Sequence, residues 1–175
     1  SESAALALGP VADDAAAVGP LIDEASFERV RSAVAGAGGE LVVGGGSPSD
    51  PRLEGGWFVE PAVVRGVDPD SSLARDEVFG PVLALFAADD VGEALELANQ
   101  TRYGLSASLF TRDLGAALEY IREIQVGLVR VNGDTTGVDP HAPFGGFKAS
   151  SSGSREQGPA AREFYTEIKT VQVQS

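Results

Sequence analysis

Cysteine is absent from the 175 residues of the chain, and histidine occurs only once, as His141. Without cysteine the chain can form no disulfide, no thiolate metal site and no cysteine nucleophile. The single histidine stands in a loop-like stretch with no pattern of carboxylates beside it, which favours a surface residue over a catalytic one. The sequence therefore predicts no metal site, and no cysteine or histidine that acts as a catalyst, within this chain.

Basic residues are also scarce, with 13 Lys and Arg against 26 Asp and Glu and a formal net charge of -13. This field repels phosphate backbones, so a nucleic-acid partner is not expected. No apolar stretch is long enough to span a bilayer, and the first residues lack the basic region of a signal peptide. With 43% hydrophobic residues, the expectation is a soluble, cytoplasmic, globular protein without a membrane partner.

The first part of the chain indicates a connector followed by a helix and a strand. Residues 1–20 are rich in alanine and interrupted by Gly-Pro pairs, which is typical of a connector. Asp23 is predicted to cap a helix, and the apolar face of that helix is Ile22, Ala25, Val30, Ala33, Val34 and Ala37. A short strand over 40–43 and a loop over 44–50 follow. The loop glycines could cradle a phosphate, but the Gly-x-Gly-x-x-Gly pattern and the P-loop lysine are absent, which favours a plain loop.

The middle of the chain alternates strands with helices. Residues 81–87 form a continuous apolar run, typical of a strand buried on both faces. Further strands are predicted over 105–110 and 128–132. This order favours right-handed crossovers between parallel strands. The predicted fold is therefore α/β, a three-layer parallel sheet with flanking helices.

Two helices are predicted between these strands. The first begins at Asp89 or Asp90, and its buried side is Val91, Ala94, Leu95 and Ala98. The second begins at Asp113, and its buried residues are Leu114, Ala117, Leu118 and Ile121. Beyond 132 the chain is irregular, until Pro159 opens a short helix that ends near Phe164. Residues 166–174 favour an extended strand.

Five segments, in this order along the chain, resemble motifs of the aldehyde dehydrogenase family. They are Glu77-Val-Phe-Gly-Pro81, Asn99-Gln-Thr-Arg-Tyr-Gly-Leu105, the Val-Asn strand end at Asn132, Pro143-Phe-Gly-Gly-Phe-Lys148 and Phe164-Tyr-Thr-Glu-Ile-Lys-Thr-Val171. The similarity runs from about residue 18 to the end. Within the family, the Ser-Arg-Glu-Gln-Gly stretch at 154–158 is similar to α-ketoglutaric semialdehyde dehydrogenases. Each motif is weak by itself, and their common order makes the resemblance specific.

This resemblance implies an enzyme that oxidises an aldehyde to a carboxylic acid with NAD or NADP. In the family a cysteine thiolate attacks the aldehyde, hydride passes to the cofactor, and a glutamate activates the water that hydrolyses the thioester. The expected organisation is a connector (1–20), the C-terminal part of the catalytic domain (21–158), and a short helix with an oligomerisation strand (159–175). The catalytic cysteine, the general-base glutamate and the dinucleotide-binding domain then lie outside this chain, which is expected to be inactive by itself.

The resemblance places three residues of this chain at the active site. Glu77 corresponds to the carboxylate that binds the nicotinamide ribose hydroxyls, and Phe79 to the residue beside the nicotinamide ring. Phe144 corresponds to an aromatic residue of the substrate tunnel. Without the family resemblance, Glu77 has a simpler interpretation as a first-turn helix carboxylate or a solvated charge. Phe79 is then interpreted as a core residue, and Phe144 as a hydrophobic anchor in a turn.

The residues around Phe144 have weaker assignments. By resemblance, loop 133–142 shapes the substrate entrance. Asn132 is interpreted as a structural cap or turn residue rather than a chemical group. Arg130 and Arg155 could attract an acidic aldehyde, but surface ion pairing is the favoured interpretation of both.

The tail carries the expected partner interaction. In the family the last strand joins the sheet of another subunit, so a homo-oligomer is expected. Without a partner, its apolar residues would form an exposed edge. Two hypotheses remain open. In the first, the chain is part of a dehydrogenase that acts on an aldehyde, and the finer resemblance suggests a semialdehyde. In the second, the chain is a non-catalytic module that pairs with full-length subunits. The retention of Glu77 and Phe79 favours the first. A separate dinucleotide-binding protein is disfavoured by the missing phosphate-binding pattern.

Overall fold

The computed structural model describes residues 2–174 and divides the chain into two compact units, with the boundary after residue 88. Ahead of the first long helix, the chain forms a short 3₁₀-helix, Glu2–Ala5, and a single parallel bridge between Leu8 and Val18. Residues 2–20 are otherwise irregular, as their Gly-Pro pairs predict.

The first unit opens with helix α1 (Glu24–Ala35), which begins at the predicted cap. The carboxylate of Asp23 accepts a hydrogen bond from the backbone N of Ser26 at 2.7 Å. The helix buries Phe27 and Val30, which are three residues apart on one face. The predicted face is wrong at two exposed positions, Ile22 and Ala25. The first precedes the cap, and the second lies about 200° around the helix from Phe27.

A three-stranded sheet packs against this helix. Strand β2 (Ala62–Arg65) is central, antiparallel to β1 (Glu40–Val43) and parallel to β3 (Val82–Leu85). Strand β1 is as predicted, whereas β2 was not predicted. Its first three residues are all buried, so it lacks the alternation that identifies a short strand from sequence.

One face of β3 is open. Val82 and Ala84 pack into the core of the unit, but Leu83 and Leu85 are exposed. The prediction that this strand is buried on both faces is therefore wrong for this chain. Helix α2 (Ser72–Arg75) precedes the strand and is capped by the Ser71 hydroxyl.

The second unit contains the predicted strand-helix-strand crossover. Strand β5 (Ser106–Leu109) pairs in parallel with β6 (Leu128–Val131), and helix α4 (Leu114–Glu123) connects them. Helix α3 (Val91–Asn99) precedes the crossover, and the short strands Tyr103–Gly104 (β4) and Phe147–Lys148 (β7) pair antiparallel. A 3₁₀ turn (Gly158–Ala160) and helix α5 (Ala161–Phe164) end the regular structure where Pro159 predicts a short helix.

The α/β class and the parallel strand pairing are confirmed, but the hydrogen-bonded strands form three separate sheets. Strand β3 pairs with β2, and strand β5 pairs with β6. Among the described residues, the first unit therefore has one three-stranded sheet, and the second unit has two sheets of two strands each. In the second unit the buried residues of the hydrophobic core cluster are Leu95, Tyr120, Ile124 and Val126.

Helix α4 turns a different face inward from the predicted one. Ala117 is buried as expected, but the other three predicted core positions are exposed: Leu114, Leu118 and Ile121. Tyr120 and Ile124 are buried instead. The two stripes are offset by about 100° on the same helix, and both have helical spacing. On α3, likewise, Leu95 is buried while Ala94 and Ala98 are exposed.

The two aspartates before α3 allow a matched test of capping. The carboxylate of Asp90 accepts a hydrogen bond from the backbone N of Glu93 at 2.9 Å, while that of Asp89 has no hydrogen bond among the described residues. We expect Asp90→Ala to lower the free energy of unfolding by about 1 kcal/mol, and Asp89→Ala by at most a few tenths. Urea denaturation measures both, and an equal loss for the two variants would contradict the assignment.

Residues 166–174 form no strand among the described residues. Their side chains are exposed, with Ile168 at 97%, Val171 at 72% and Val173 at 87%. Within the same described range, every helix is too short or too polar to cross a membrane.

Candidate functional site

Glu77 and Phe79 lie on the short segment between α2 and β3. Helix α2 ends before them, since the backbone N of Asp76 donates to the Ser72 carbonyl at 2.8 Å. Glu77 is exposed, and its carboxylate forms no hydrogen bond or salt bridge among the described residues. The interpretation of Glu77 as a first-turn helix carboxylate is therefore wrong, because the preceding helix has already ended.

Phe79 is held outward by an unusual backbone. Its φ is +55°, a conformation that few residues other than glycine adopt, and its side chain is 76% exposed. The interpretation of Phe79 as a core residue is therefore wrong. Strained backbone of this kind persists only where the surroundings enforce it, and it is concentrated at functional sites.

The residues on either side of Phe79 hold its backbone in this conformation. Val78 packs into the core, and its carbonyl accepts a hydrogen bond from Arg29 Nε at 3.2 Å. A Cβ on Gly80 would lie 2.4 Å from Cγ2 of Val30, a fully buried residue, so the backbone here lies directly on α1. With Val78 packed into the core and the Gly80 backbone against α1, the side chains of Glu77 and Phe79 are exposed on the surface of the unit.

Phe144 belongs to the second unit, where it lines a cavity of about 340 Å³. The ring is half-buried. Residues 127–130, at the start of β6, form one wall of the cavity, and residues 137–144 form the other. The structure thus groups Glu77 with Phe79 on one segment, and Phe144 with the predicted entrance loop.

Arg130 anchors this loop. Its Nη2 donates to the carbonyls of Gly137 at 3.0 Å and Thr136 at 3.5 Å. The hydroxyl and backbone N of Thr136 both donate to Asp134, and these bonds hold the pKa of the Asp134 carboxyl below its ordinary value. The predicted surface ion pair of Arg130 is replaced by bonds to backbone carbonyls.

Asn132 has the structural role that the sequence indicates. It ends β6 with φ at +55°, and its amide bonds both the backbone N (2.8 Å) and the carbonyl (2.9 Å) of Thr111. The amide thus ties the ends of β5 and β6 together. His141 is exposed in the loop, in agreement with its interpretation as a surface residue.

Two motif residues have a role that sequence reasoning missed. Lys148 Nζ donates to the carbonyls of Asn99 at 2.6 Å and Thr101 at 3.1 Å. The amide of Asn99 accepts from the backbone N of Gln125 at 2.8 Å and donates to the Glu123 carbonyl at 3.0 Å. A cation at the C-terminal end of α3 is favourable. Because Lys148 lies almost fifty residues from this helix end in the sequence, no local pattern indicates the interaction. Within residues 2–174 no group of three His, Cys, Asp or Glu side chains is arranged to hold a metal ion.

Comparison with known proteins finds similarity over nearly the whole chain. The model of the aldehyde dehydrogenase family matches residues 1–171. An alpha-ketoglutaric semialdehyde dehydrogenase of Bacillus subtilis is 48% identical over 134 residues, which cover 77% of this chain and 28% of that protein. An alpha-ketoglutarate semialdehyde dehydrogenase of Haloferax volcanii is 45% identical over 170 residues, 95% of this chain and 35% of that protein.

Solved structures agree with the sequence matches. A betaine aldehyde dehydrogenase of Staphylococcus aureus in complex with NAD+ superposes with a TM-score of 0.87 at 32% identity, over 94% of this chain and 33% of that one. An aldehyde dehydrogenase of Mycobacterium tuberculosis complexed with NAD+ has a TM-score of 0.85 at 39% identity, over 93% of this chain and 33% of that one. The chain spans about a third of the length of these relatives.

Proposed function

The chain belongs to the aldehyde dehydrogenase family, and we propose that it forms the C-terminal part of the catalytic domain of an enzyme that oxidises an aldehyde to a carboxylic acid with NAD+ or NADP+. The observation that carries this proposal is the exposed ring of Phe79, held outward by a positive φ beside the exposed carboxylate of Glu77, within the region that the family model matches.

The chemical step needs groups that this chain does not contain. The family reaction uses a cysteine nucleophile, and the 175 residues include no cysteine. We therefore assign nucleophile, general base and most of the cofactor site to sequence outside this chain. In the complete protein, NAD(P)+ would accept the hydride removed from the aldehyde carbon. By itself this chain should be inactive.

Glu77 is the proposed contact to the cofactor in this chain. An ionised carboxylate accepts hydrogen bonds from two vicinal hydroxyls at once, and such charge-assisted bonds are about twice as strong as neutral ones. Since the carboxylate forms no bond to the described residues, it is available to the nicotinamide ribose. The exposed ring of Phe79 offers a flat apolar surface that would restrict the nicotinamide beside it.

Phe144 and the loop 133–142 are the proposed contribution to the substrate site. Phe144 and residues of the loop form one wall of the cavity, and the start of β6 forms the other. The substrate class that we propose is an aldehyde that also carries a carboxylate and a keto group, as in α-ketoglutaric semialdehyde. This choice is supported by the similarity to the semialdehyde dehydrogenases of B. subtilis and H. volcanii and by the Ser-Arg-Glu-Gln-Gly stretch at 154–158.

The test is to express the longest protein that the gene of this chain encodes, beside the chain itself. We expect the longer protein to reduce NAD+ or NADP+ in the presence of α-ketoglutaric semialdehyde, and the chain to be inactive. A gene that encodes nothing upstream, or a longer protein that oxidises no aldehyde, would overturn the proposal. The former result would favour the non-catalytic module that pairs with full-length subunits through its tail.

Substitution of Glu77 tests the cofactor contact. In the complete protein we expect Glu77→Gln to weaken NAD+ binding about tenfold, since the loss of one charge-assisted bond is equivalent to about 1.5 kcal/mol. Glu54→Gln, which removes the same charge from an exposed position in the same unit, should leave binding unchanged. Titration calorimetry measures both, and equal affinities would remove Glu77 from the site.

A further inference from the structure

The turn that carries Phe144 is held by the segment that follows it. Phe144 and Glu156 form an isolated antiparallel bridge, in which the backbone N of Phe144 donates to the Glu156 carbonyl at 2.6 Å and the reverse bond measures 2.9 Å. The backbone N of Gly146 donates to Ser151 Oγ at 2.7 Å, and its carbonyl accepts from Arg155 Nη1. Every one of these bonds joins the turn to residues 151–156.

The turn has little room to move in its own backbone. Gly145 has a φ of +153°, and a Cβ there would lie 3.1 Å from Cδ of Arg155. On the other side, a Cβ on Gly127 would lie 1.8 Å from the Gly145 carbonyl oxygen. The turn is thus enclosed between the start of β6 and the side chain of Arg155.

Arg155 is the one charged side chain among these contacts. It is half-buried, and its guanidinium lies 5.0 Å from the centroid of the Phe147 ring while it donates to Gly146. A bond from a charged donor is stronger than a neutral one, and stacking on an aromatic face adds to it. Lysine cannot reproduce this combination, because it lacks the planar fork of donors.

We propose that Arg155 is a positioning residue for the aldehyde site: it fixes the Phe144 turn and thereby the aromatic wall of the 340 Å³ cavity. This inference rests on the proposed function, since it assigns the cavity to the aldehyde. Arg155 itself binds backbone and ring within the protein, so it is not available to attract an acidic substrate. Its loss should leave the reacting groups in place but allow the wall to move.

The test uses Arg155→Gln and Arg155→Lys in the complete protein. Arg112→Gln is the matched control, because Arg112 is exposed and has no hydrogen bond or salt bridge among the described residues. We expect both Arg155 variants to raise the KM for the aldehyde about tenfold and to change kcat less than about threefold. The KM for NAD+ and all constants of the control should stay unchanged.

Hydrogen exchange gives a readout that does not need activity. In Arg155→Gln the amides of Phe144 and Gly146 should exchange at least about tenfold faster, since their partners are no longer fixed, while the control retains protection. An unchanged aldehyde KM in an active enzyme would overturn the inference, as would unchanged exchange. If the complete protein oxidises no aldehyde, the proposed function fails by that result, and exchange alone decides whether Arg155 fixes the turn.

Discussion

Deleting the tail after Tyr165 is expected to prevent the association that we propose between subunits of the complete protein, and to leave monomers at micromolar concentration. The deleted segment has no strand partner among the described residues and exposes Ile168, Val171 and Val173. Addition to the sheet of another subunit would supply the missing backbone hydrogen bonds, and burial of each apolar side chain contributes about 1.5 to 3 kcal/mol. Loss of the whole segment should therefore abolish the association rather than weaken it slightly.

The alternation of the tail provides a control for this prediction. In an extended chain Val171 and Val173 lie on one face, while Thr170 and Gln172 lie on the other. Val171→Asp combined with Val173→Asp should dissociate the assembly, and the same two charges at 170 and 172 should be tolerated better. Sedimentation of all three variants decides the matter. An oligomer that survives the deletion would show that another surface holds the subunits together.

Gly127→Ala is expected to destabilise the second unit strongly, since among the described glycines of that unit Gly127 has the shortest Cβ contact. The new Cβ would lie 1.8 Å from the Gly145 carbonyl oxygen and 2.9 Å from Cα of Gly146. Both are backbone atoms, so no rotation of a side chain relieves the overlap, and either β6 or the Phe144 turn must shift. Overpacking in close-packed structure costs about 1 to 3 kcal/mol, and we expect about 3 kcal/mol here.

A glycine just beyond the other end of β6 is the control. A Cβ on Gly133 would meet no atom within 4 Å, and its φ is not in the positive range. Gly133→Ala should therefore change the free energy of unfolding by less than about 0.5 kcal/mol. Urea denaturation compares the two variants. Similar stability for Gly127→Ala and Gly133→Ala would mean that the Phe144 turn shifts at little cost. That result would also weaken the inference that Arg155 fixes the turn.

Features of the fold that depend on local chemistry could be predicted from the sequence. Helices α1, α3 and α4 begin one residue after an aspartate, because the side chain of Asp23, Asp90 or Asp113 binds the free backbone N–H groups of the first turn. The sequence could not choose between Asp89 and Asp90, since both precede the same apolar pattern. That choice depends on which residue adopts extended backbone.

Features that depend on distant neighbours could not be predicted. Helix α4 carries two apolar stripes with equally good spacing, and only the position of the sheet decides that Tyr120 rather than Leu118 is buried. Strand β2 buries its first three residues in succession, so it shows no period of two. The exposed face of β3 could not be predicted for the same reason. Its apolar run predicts a buried strand, but it does not identify the element that would pack on each face.

The candidate site was predicted through the family motifs rather than through local physics. Taken alone, Phe79 would be placed in a core, whereas its positive φ turns it outward. The bonds of Arg155 and Lys148 join residues far apart in the chain, so composition and spacing give no indication of them. The cytoplasmic location and the division at residues 20 and 158 stay predictions.

The distribution of aromatic residues makes the two units spectroscopically distinct. Trp57, the only tryptophan in the chain, lies in the first unit with its ring 5.7 Å from that of Phe27. All three tyrosines, at positions 103, 120 and 165, lie in the second. Tryptophan emission therefore arises from the first unit, and tyrosine absorbance from the second. A stability measurement on any variant of this chain can thus be assigned to the unit that carries the substitution.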